Sequence, residues 1–302
     1  MTGEARLFRS AKATLGESLV WDPAGDLLWC DITEGLLHRS PMDGSPFGGD
    51  DGTGALPAPV ASFHPAASGG HVVSLGDRVV LVNESAVEQH ELAKIIHIKE
   101  GMRLNEGKVD PFGRWVTGSL DPDGDPVAEL YAIDASGVTT TLRTGLGTSN
   151  GFEWTPDGTT MYFTDTAVQT IYRGAYSVAG GLTDVEVFVT GEMFDGLVMD
   201  DHGYLWSGIY GGGKVIRYSP DGRKDLSIPL PAPNVTSVAF GGDDRSILFV
   251  ASARENLSDQ ELRSNPLSGA IFAIHTDVTA RLPYVFGVNA LASNDPGTAD
   301  AV

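Results

Sequence analysis

The stretch WTPDGTTMYFTD at 154–165 sets a pattern: a turn carrying Asp and Gly, then a short apolar run with an aromatic. The pattern returns as WDPAGDLLWCD at 21–31, VDPFGRWVTG at 109–118 and MDDHGYLWSG at 199–208. FGGDDRSILFVAS at 240–252 is a looser copy and VSLGDRVVLVN at 73–83 a weaker one. Asp and Gly tolerate the backbone of a tight turn, and β-branched or aromatic flanks favour strands, so each copy predicts two strands joined by a turn. Alignment on Trp29, Val80, Trp115, Tyr162, Trp206 and Phe249 gives steps of 51, 35, 47, 44 and 43 residues. A period of that size marks a repeat architecture. Six such units in 302 residues predict an all-β chain, one six-bladed β-propeller domain over 1–302.

The bulk composition narrows the partners. A formal charge of −20 repels phosphate, so neither nucleic acid nor an anionic membrane surface is an expected partner. Most of that charge reads as solvated surface, with a minor share left for a cation site. The single cysteine, Cys30 in LLWCDI, excludes an internal disulfide and a multi-cysteine zinc site, and it reads as a buried structural thiol. The N-terminal residues lack an apolar core of signal-peptide length, and nowhere do 18 apolar residues run together. A cytoplasmic protein, monomeric or weakly homo-oligomeric, is expected.

Between the repeats, 5–12 and 281–288 read as first and last strands, with the chain ends pairing in one blade to close the ring. GGDDGTGALPAP at 48–59 reads as a flexible loop within the first blade. In 255–269, Ser258 followed by Glu261 is a helix-start signature. The tail 293–302 is expected to be disordered.

A propeller holds ligands where its innermost strands converge on the central channel. Glu17, Asn105, Asn150 and Asp195 each stand four residues before the strand-end residues Trp21, Val109, Trp154 and Met199 that lead into the repeated turn. A common register of this kind points four oxygen-bearing side chains at one end of the channel. For any single Asn-Gly or Asp-Gly pair, a simple turn is the better reading; the shared offset reverses that for the set. Two carboxylates and an amide oxygen suit a hard divalent cation. Calcium is preferred by ligand type, with magnesium, manganese or zinc as alternatives.

The strings LGESLVWDP, RLNEGKVDPFGRWVTGSL, NGFEWTPDGTTMYFTD, FDGLVMDDHGYLWSGIYGGGKVIRYSPDG and TSVAFGG together resemble the SMP-30/gluconolactonase/luciferin-regenerating-enzyme family, in order over nearly the whole chain. The resemblance implies six blades, one divalent ion in the channel and hydrolysis of sugar lactones. Carried over by motif, Glu17, Asn150 and Asp195 match the metal ligands, Asp195 also the general base, and Arg103 and Asn105 the substrate-contacting positions. Two departures lie on the substrate side. Glu106 stands where the family usually has Asp, and the family's substrate-contacting acid falls in GSLDPDGDP, on Asp121, Asp123 or neither.

The implied chemistry is polarisation of a lactone carbonyl by the ion, with Arg103 anchoring hydroxyls or assisting the oxyanion and Asn105 orienting a hydroxyl. A carboxylate that also holds a cation is a weakened base, so water activated at the ion competes with Asp195 for that role. Alternatives are a metal-dependent esterase or organophosphate hydrolase at the same site, or a non-catalytic calcium-binding scaffold. The seven histidines show no metal-binding spacing and read as surface or packing residues; no GxSxG elbow accompanies Ser18 or Ser149. Glu153 reads as an outward-facing strand residue and Lys108 as a strand-face charge. Tyr210 either lines the mouth or packs in a strand.

Overall fold

A computed structural model describes residues 3–43 and 51–291 and forms six four-stranded antiparallel sheets. Blade 1 holds β2 (Gly16–Trp21), β3 (Asp26–Asp31), β4 (Leu36–Pro41) and β5 (Gly52–Ala55). Blade 2 holds β6 (Val60–Pro65), β7 (His71–Leu75), β8 (Arg78–Val82) and β9 (Glu88–Lys94). Blade 3 runs through β10 (Arg103–Val109), β11 (Trp115–Leu120), β12 (Ala128–Ile133) and β13 (Thr139–Leu146). Blade 4 comprises β14 (Ser149–Trp154), β15 (Thr160–Asp165), β16 (Thr170–Ser177) and β17 (Gly181–Thr190). In blade 5 the strands are β18 (Phe194–Met199), β19 (Leu205–Ile209), β20 (Lys214–Tyr218) and β21 (Lys224–Pro229). Blade 6 is β22 (Asn234–Gly241), β23 (Ile247–Ala253), β24 (Ile271–His275) and then β1 (Arg6–Arg9), which supplies its outer strand.

The first strands of the blades touch in a circuit: β2 with β6, β6 with β10, β10 with β14, β14 with β18, β18 with β22 and β22 with β2. They are the walls of the channel. Covered on both faces, β2, β14, β18 and β22 are buried along their whole length, whereas β17 at a blade's outer edge has no buried residue. Pairing of β1 with β24 closes the ring as expected, though β1 is shorter than 5–12.

The repeated turn has a physical cause. Asp110 Oδ1 accepts the N–H groups of Phe112 and Arg114 at 2.9 and 2.8 Å, and Gly113 takes φ +79°. Asp200 Oδ1 likewise accepts from His202 and Tyr204 at 3.0 Å each, with Gly203 at φ +78°. An acceptor side chain and a residue free to adopt positive φ define this turn, which is why Asp and Gly recur three apart. The aromatics behind the turns are buried: Trp29, Trp115, Trp154 and Trp206 are among the largest fully covered side chains.

Three expectations change. In blade 2 the copy at 73–83 is the turn between β7 and β8, not between the first two strands, so Val80 lies on the third strand. The equivalent second-strand residue is Val73, which makes the first two steps 44 and 42 residues and the period nearly even. The Gly- and Asp-rich stretch at 48–59 contains β5, which pairs with β4; a partner strand's backbone compensates for its poor strand composition. Residues 48–50 and the tail 293–302 lie outside the described residues. The segment 281–288 forms no strand and makes one bridge, Phe286 to Ala66. It belongs to a stretch, 276–291, that lies across the turns at one end of the channel, through Asp201 N to Thr279 O (2.8 Å), Gly287 N to Gly113 O (2.8 Å) and Ala290 N to Pro111 O (3.1 Å). The helix is where expected: α1 (Asp259–Ser264) starts on a capping box between Ser258 and Glu261. Among the described residues no helix is long and apolar enough to cross a membrane.

Asp200 also accepts Trp206 Nε1 at 2.9 Å and Arg217 Nε at 2.8 Å, so one buried carboxylate ties a turn, an aromatic and a cation. Asp200→Ala is expected to cost about 3 kcal/mol, because it strands Arg217 and three other donors. Urea denaturation measures it; a loss under half that size would remove this turn from the chief supports of blade 5.

Candidate active site at one mouth of the channel

Glu17, Asn105, Asn150 and Asp195 lie on the four inner strands β2, β10, β14 and β18, near the strand starts, and all four are buried. Each of these strands slips register against its neighbour just after or around that residue. A bulge re-aims the side chain beside it, here away from the sheet and into the channel. Ser18, next to Glu17, takes φ +54°, and Gly151, next to Asn150, sits so close to Asp195 O that a Cβ would collide with it.

A chain of hydrogen bonds then crosses three blades. Arg103 Nη1 donates to Asn105 Oδ1 at 2.7 Å, and Asn105 Nδ2 donates to Asn150 Oδ1 at 2.6 Å. Asn150 Nδ2 donates to Thr166 Oγ1 at 3.0 Å, and Thr166 Oγ1 donates to Phe194 O at 2.6 Å, one residue before Asp195. Thr164 Oγ1 donates to Asp195 O at 3.3 Å. Arg103, Asn105, Asn150 and Asp195 are thereby brought together and oriented.

The charges at this mouth are unbalanced. Burial first, then Asp195 and Glu106, push the Glu17 carboxyl well above the usual range. Burial, then Glu106 and Glu255, do the same to Asp195. Burial lifts Glu106 to about 7 although Lys108 pulls it back. Glu17, Asp195 and Glu255 thus share the guanidinium of Arg103, while Glu106 is opposed by Lys108. Asp195 Oδ1 is buried with no hydrogen-bond partner, a costly state for a carboxylate oxygen. An unpartnered buried oxygen beside a second carboxylate is what a hard cation satisfies, so Glu17, Asn150 and Asp195 fit a divalent ion.

Two other acidic groups are already engaged. Lys99 Nζ lies 2.9 Å from Asp121, 2.6 Å from Asp123 and 3.1 Å from Asp125, so the acids considered for substrate contact are paired with an ammonium. Asp200, grouped with Asp201 and His202, serves its own turn and Arg217. Cys30 is buried, and burial pushes its thiol up, as suits a structural residue.

Glu153 corrects its sequence reading. It is 1 % exposed and faces inward, where Oε2 accepts from Lys108 Nζ at 2.9 Å and Oε1 from Arg281 Nη2. It was expected to face outward, but β14 is buried along its whole length and offers no solvent face. Lys108 reaches the channel and donates also to Leu197 O at 2.9 Å. His64 lies beside them, held neutral because burial, then Lys108, bring its pKa down to about 3. Together with Arg281 these groups line a second cavity, under the 276–291 segment. Sequence reasoning missed Thr166, Lys99, Glu255 and Arg281. Only Glu255 had a signal, as the acid opening the 255–269 excursion.

The raised Glu106 carboxyl predicts a pH signature for chelated protein. A group whose folded pKa is raised contributes stability below its unfolded pKa, and that contribution is lost as pH rises through the folded value. Glu106→Gln should therefore melt increasingly higher than wild type as pH rises from about 4.5 to about 7. Melting curves across that range test it, and a pH-independent difference would contradict it.

Comparison with known proteins follows this geometry. The family model described as SMP-30/Gluconolactonase/LRE-like region matches residues 15–254. A 6-deoxy-6-sulfogluconolactonase of Pseudomonas putida is 34% identical over 274 residues, covering 88% of this chain and 92% of the relative. A pentonolactonase of Haloferax volcanii is 32% identical over 281 residues, with coverage of 88% and 92%. The crystal structure of a calcium-binding protein, regucalcin, from Agrobacterium tumefaciens superposes with a TM-score of 0.87 at 29% identity, covering 95% of this chain and 98% of that one. The motif order, the closed six-bladed ring and the match over most of its length agree: the chain belongs to the SMP-30/gluconolactonase/LRE-like family.

Proposed function

We propose that this protein is a divalent-cation-dependent lactonase that opens a sugar lactone, an aldonolactone, to the free acid. The observation that carries the reading is Asp195: a buried carboxylate with an unpartnered oxygen, whose charge, after burial, raises the Glu17 carboxyl at the mouth where Asn150, Asn105 and Arg103 converge. The names of the similar Pseudomonas and Haloferax proteins support the reaction class.

Glu17, Asn150 and Asp195 would hold the ion, calcium by ligand type. Bound there, the ion supplies electrophilic polarisation of the lactone carbonyl. The chain's own groups do the rest. Asp195 has two carboxylate oxygens: while one would hold the ion, the other takes a proton from water as the water oxygen bonds to the carbonyl carbon. The ring C–O bond breaks, and the leaving oxygen receives the proton that Asp195 took from water. Burial raises the Asp195 carboxyl and a cation held beside it would lower it, so the two act on its basicity in opposite directions. Arg103, fixed to Asn105 Oδ1, presents its remaining N–H groups to substrate oxygens, and Asn105 is locked in one rotamer by Asn150. On this reading the working unit is one ring, in the cytoplasm, monomeric or weakly self-associating.

A second reading, a calcium-binding scaffold without catalysis, draws on the description of the similar Agrobacterium structure as calcium-binding. Indicator-based hydrolysis over a lactone panel separates the two. Calcium- or manganese-loaded protein should open aldonolactones, and chelation should abolish the activity reversibly. Asp195→Ala should lower kcat by about 10²–10⁴-fold, and Arg103→Ala should raise KM about tenfold. No turnover of any lactone by metal-loaded protein would leave the scaffold reading standing.

A further inference from the structure

Glu255 opens the excursion between β23 and α1, and its backbone is anchored at the mouth. Its N–H donates to Thr14 O at 2.9 Å, three residues before Glu17, and its carbonyl accepts from Asn234 Nδ2 at 2.8 Å, at the start of β22. From that anchor the side chain reaches toward blade 5. Tyr210 Oη donates to Glu255 Oε1 at 3.4 Å, and Asn256 Nδ2 donates to Tyr210 Oη at 2.9 Å. Tyr210 sits beside Asp195: its N–H donates to Met193 O at 2.9 Å, and the preceding Ile209 pairs with Phe194. The half-buried acid therefore lies between the residues that lead into the strand of Glu17 and the residue that follows β19, the strand paired with that of Asp195. It also faces Arg103. Burial lowers the Arg103 pKa, and Glu255 is the foremost charge opposing that, ahead of Glu17 and Asp195. Meanwhile Asp121 and Asp123 are occupied by Lys99, which leaves the rim without another acid assigned to substrate.

We propose that Glu255, oriented by Tyr210, is a substrate-binding residue of this mouth, accepting hydrogen bonds from hydroxyls of a neutral, polyhydroxylated lactone held between it and Arg103. The assignment rests on the lactonase reading above. An ionised carboxylate is an acceptor with about four lone-pair sites, so it can bind two neighbouring hydroxyls of one sugar. With Glu17 and Asp195 taken up by the ion, a lactone whose own carboxylate falls beside Glu255 is disfavoured by like charge.

Calcium-loaded wild type, Glu255→Ala and Glu255→Gln are compared on glucono-1,5-lactone, on δ-valerolactone, which lacks hydroxyls, and on anionic glucaro-1,4-lactone. Glu255→Ala should lower the ratio of kcat/KM for gluconolactone over valerolactone by about 10–100-fold, chiefly through KM. Glu255→Gln keeps an acceptor and drops the charge. It should recover part of that ratio and raise the relative rate on glucarolactone; should Glu255→Ala not fold, this shift carries the test. Calorimetry with glucono-1,5-lactam, a neutral analogue resistant to hydrolysis, adds a readout independent of turnover. Its Kd should weaken about tenfold or more in Glu255→Ala. Unchanged ratios, an unchanged lactam Kd or no lactam binding by wild type would overturn the assignment. Glu255-dependent lactam binding without turnover of any lactone would instead refute the lactonase reading and keep this residue's role.

Discussion

Pairing of β1 with β24 joins the start of the described chain to its last strand and closes six sheets into a circle. Closure is what gives every inner strand a neighbour on each side, from β2 around to β22. β2, β14, β18 and β22, covered in this way, lose contact with solvent on both faces, so the polar side chains they carry are desolvated. The raised carboxyls of Glu17 and Asp195 follow directly, with burial as the leading cause in both. The raised carboxyls are thus a consequence of ring closure rather than of any one residue.

The two ends of the channel handle buried charge in opposite ways. Under the 276–291 segment, Glu153 is paired with both Lys108 and Arg281, and burial's upward push on its carboxyl is outweighed by those two cations. At the other mouth, carboxylates outnumber cations, and one Asp195 oxygen has no partner. The first arrangement is a satisfied ion cluster that locks the C-terminal segment to the ring. The second leaves like charges crowded together and one carboxylate oxygen without a partner, at a cost in stability. Lys108 belongs to both ends, since it binds Glu153 and lowers Glu106.

Much of this was legible in order along the chain. The Asp–Gly turns announced the strand pairs because their chemistry is local: an acceptor side chain and one residue at positive φ. The four-residue offset exposed Glu17, Asn105, Asn150 and Asp195 because strand length between bulge and turn is nearly constant among blades. Where local chemistry was weak, the reading slipped. Blade 2 was aligned one strand late because its Gly-Asp turn joins β7 to β8, and β5 was hidden by a composition that only pairing with β4 makes tolerable. Glu153 was expected to face outward, a default that does not apply where both faces are covered.

The sequence by itself determined the number of blades, the order of their strands and which acids and amides stand at equivalent positions, because turn formation and strand alternation act over a few residues. The tertiary structure alone decided which charges meet. Lys99 takes Asp121 and Asp123, Arg281 takes Glu153 across 128 positions, and Glu255 reaches Tyr210 across 45. Electrostatic and hydrogen-bond partners are chosen by distance through space in a low-dielectric channel, and separation along the chain carries no trace of that distance until the ring has closed.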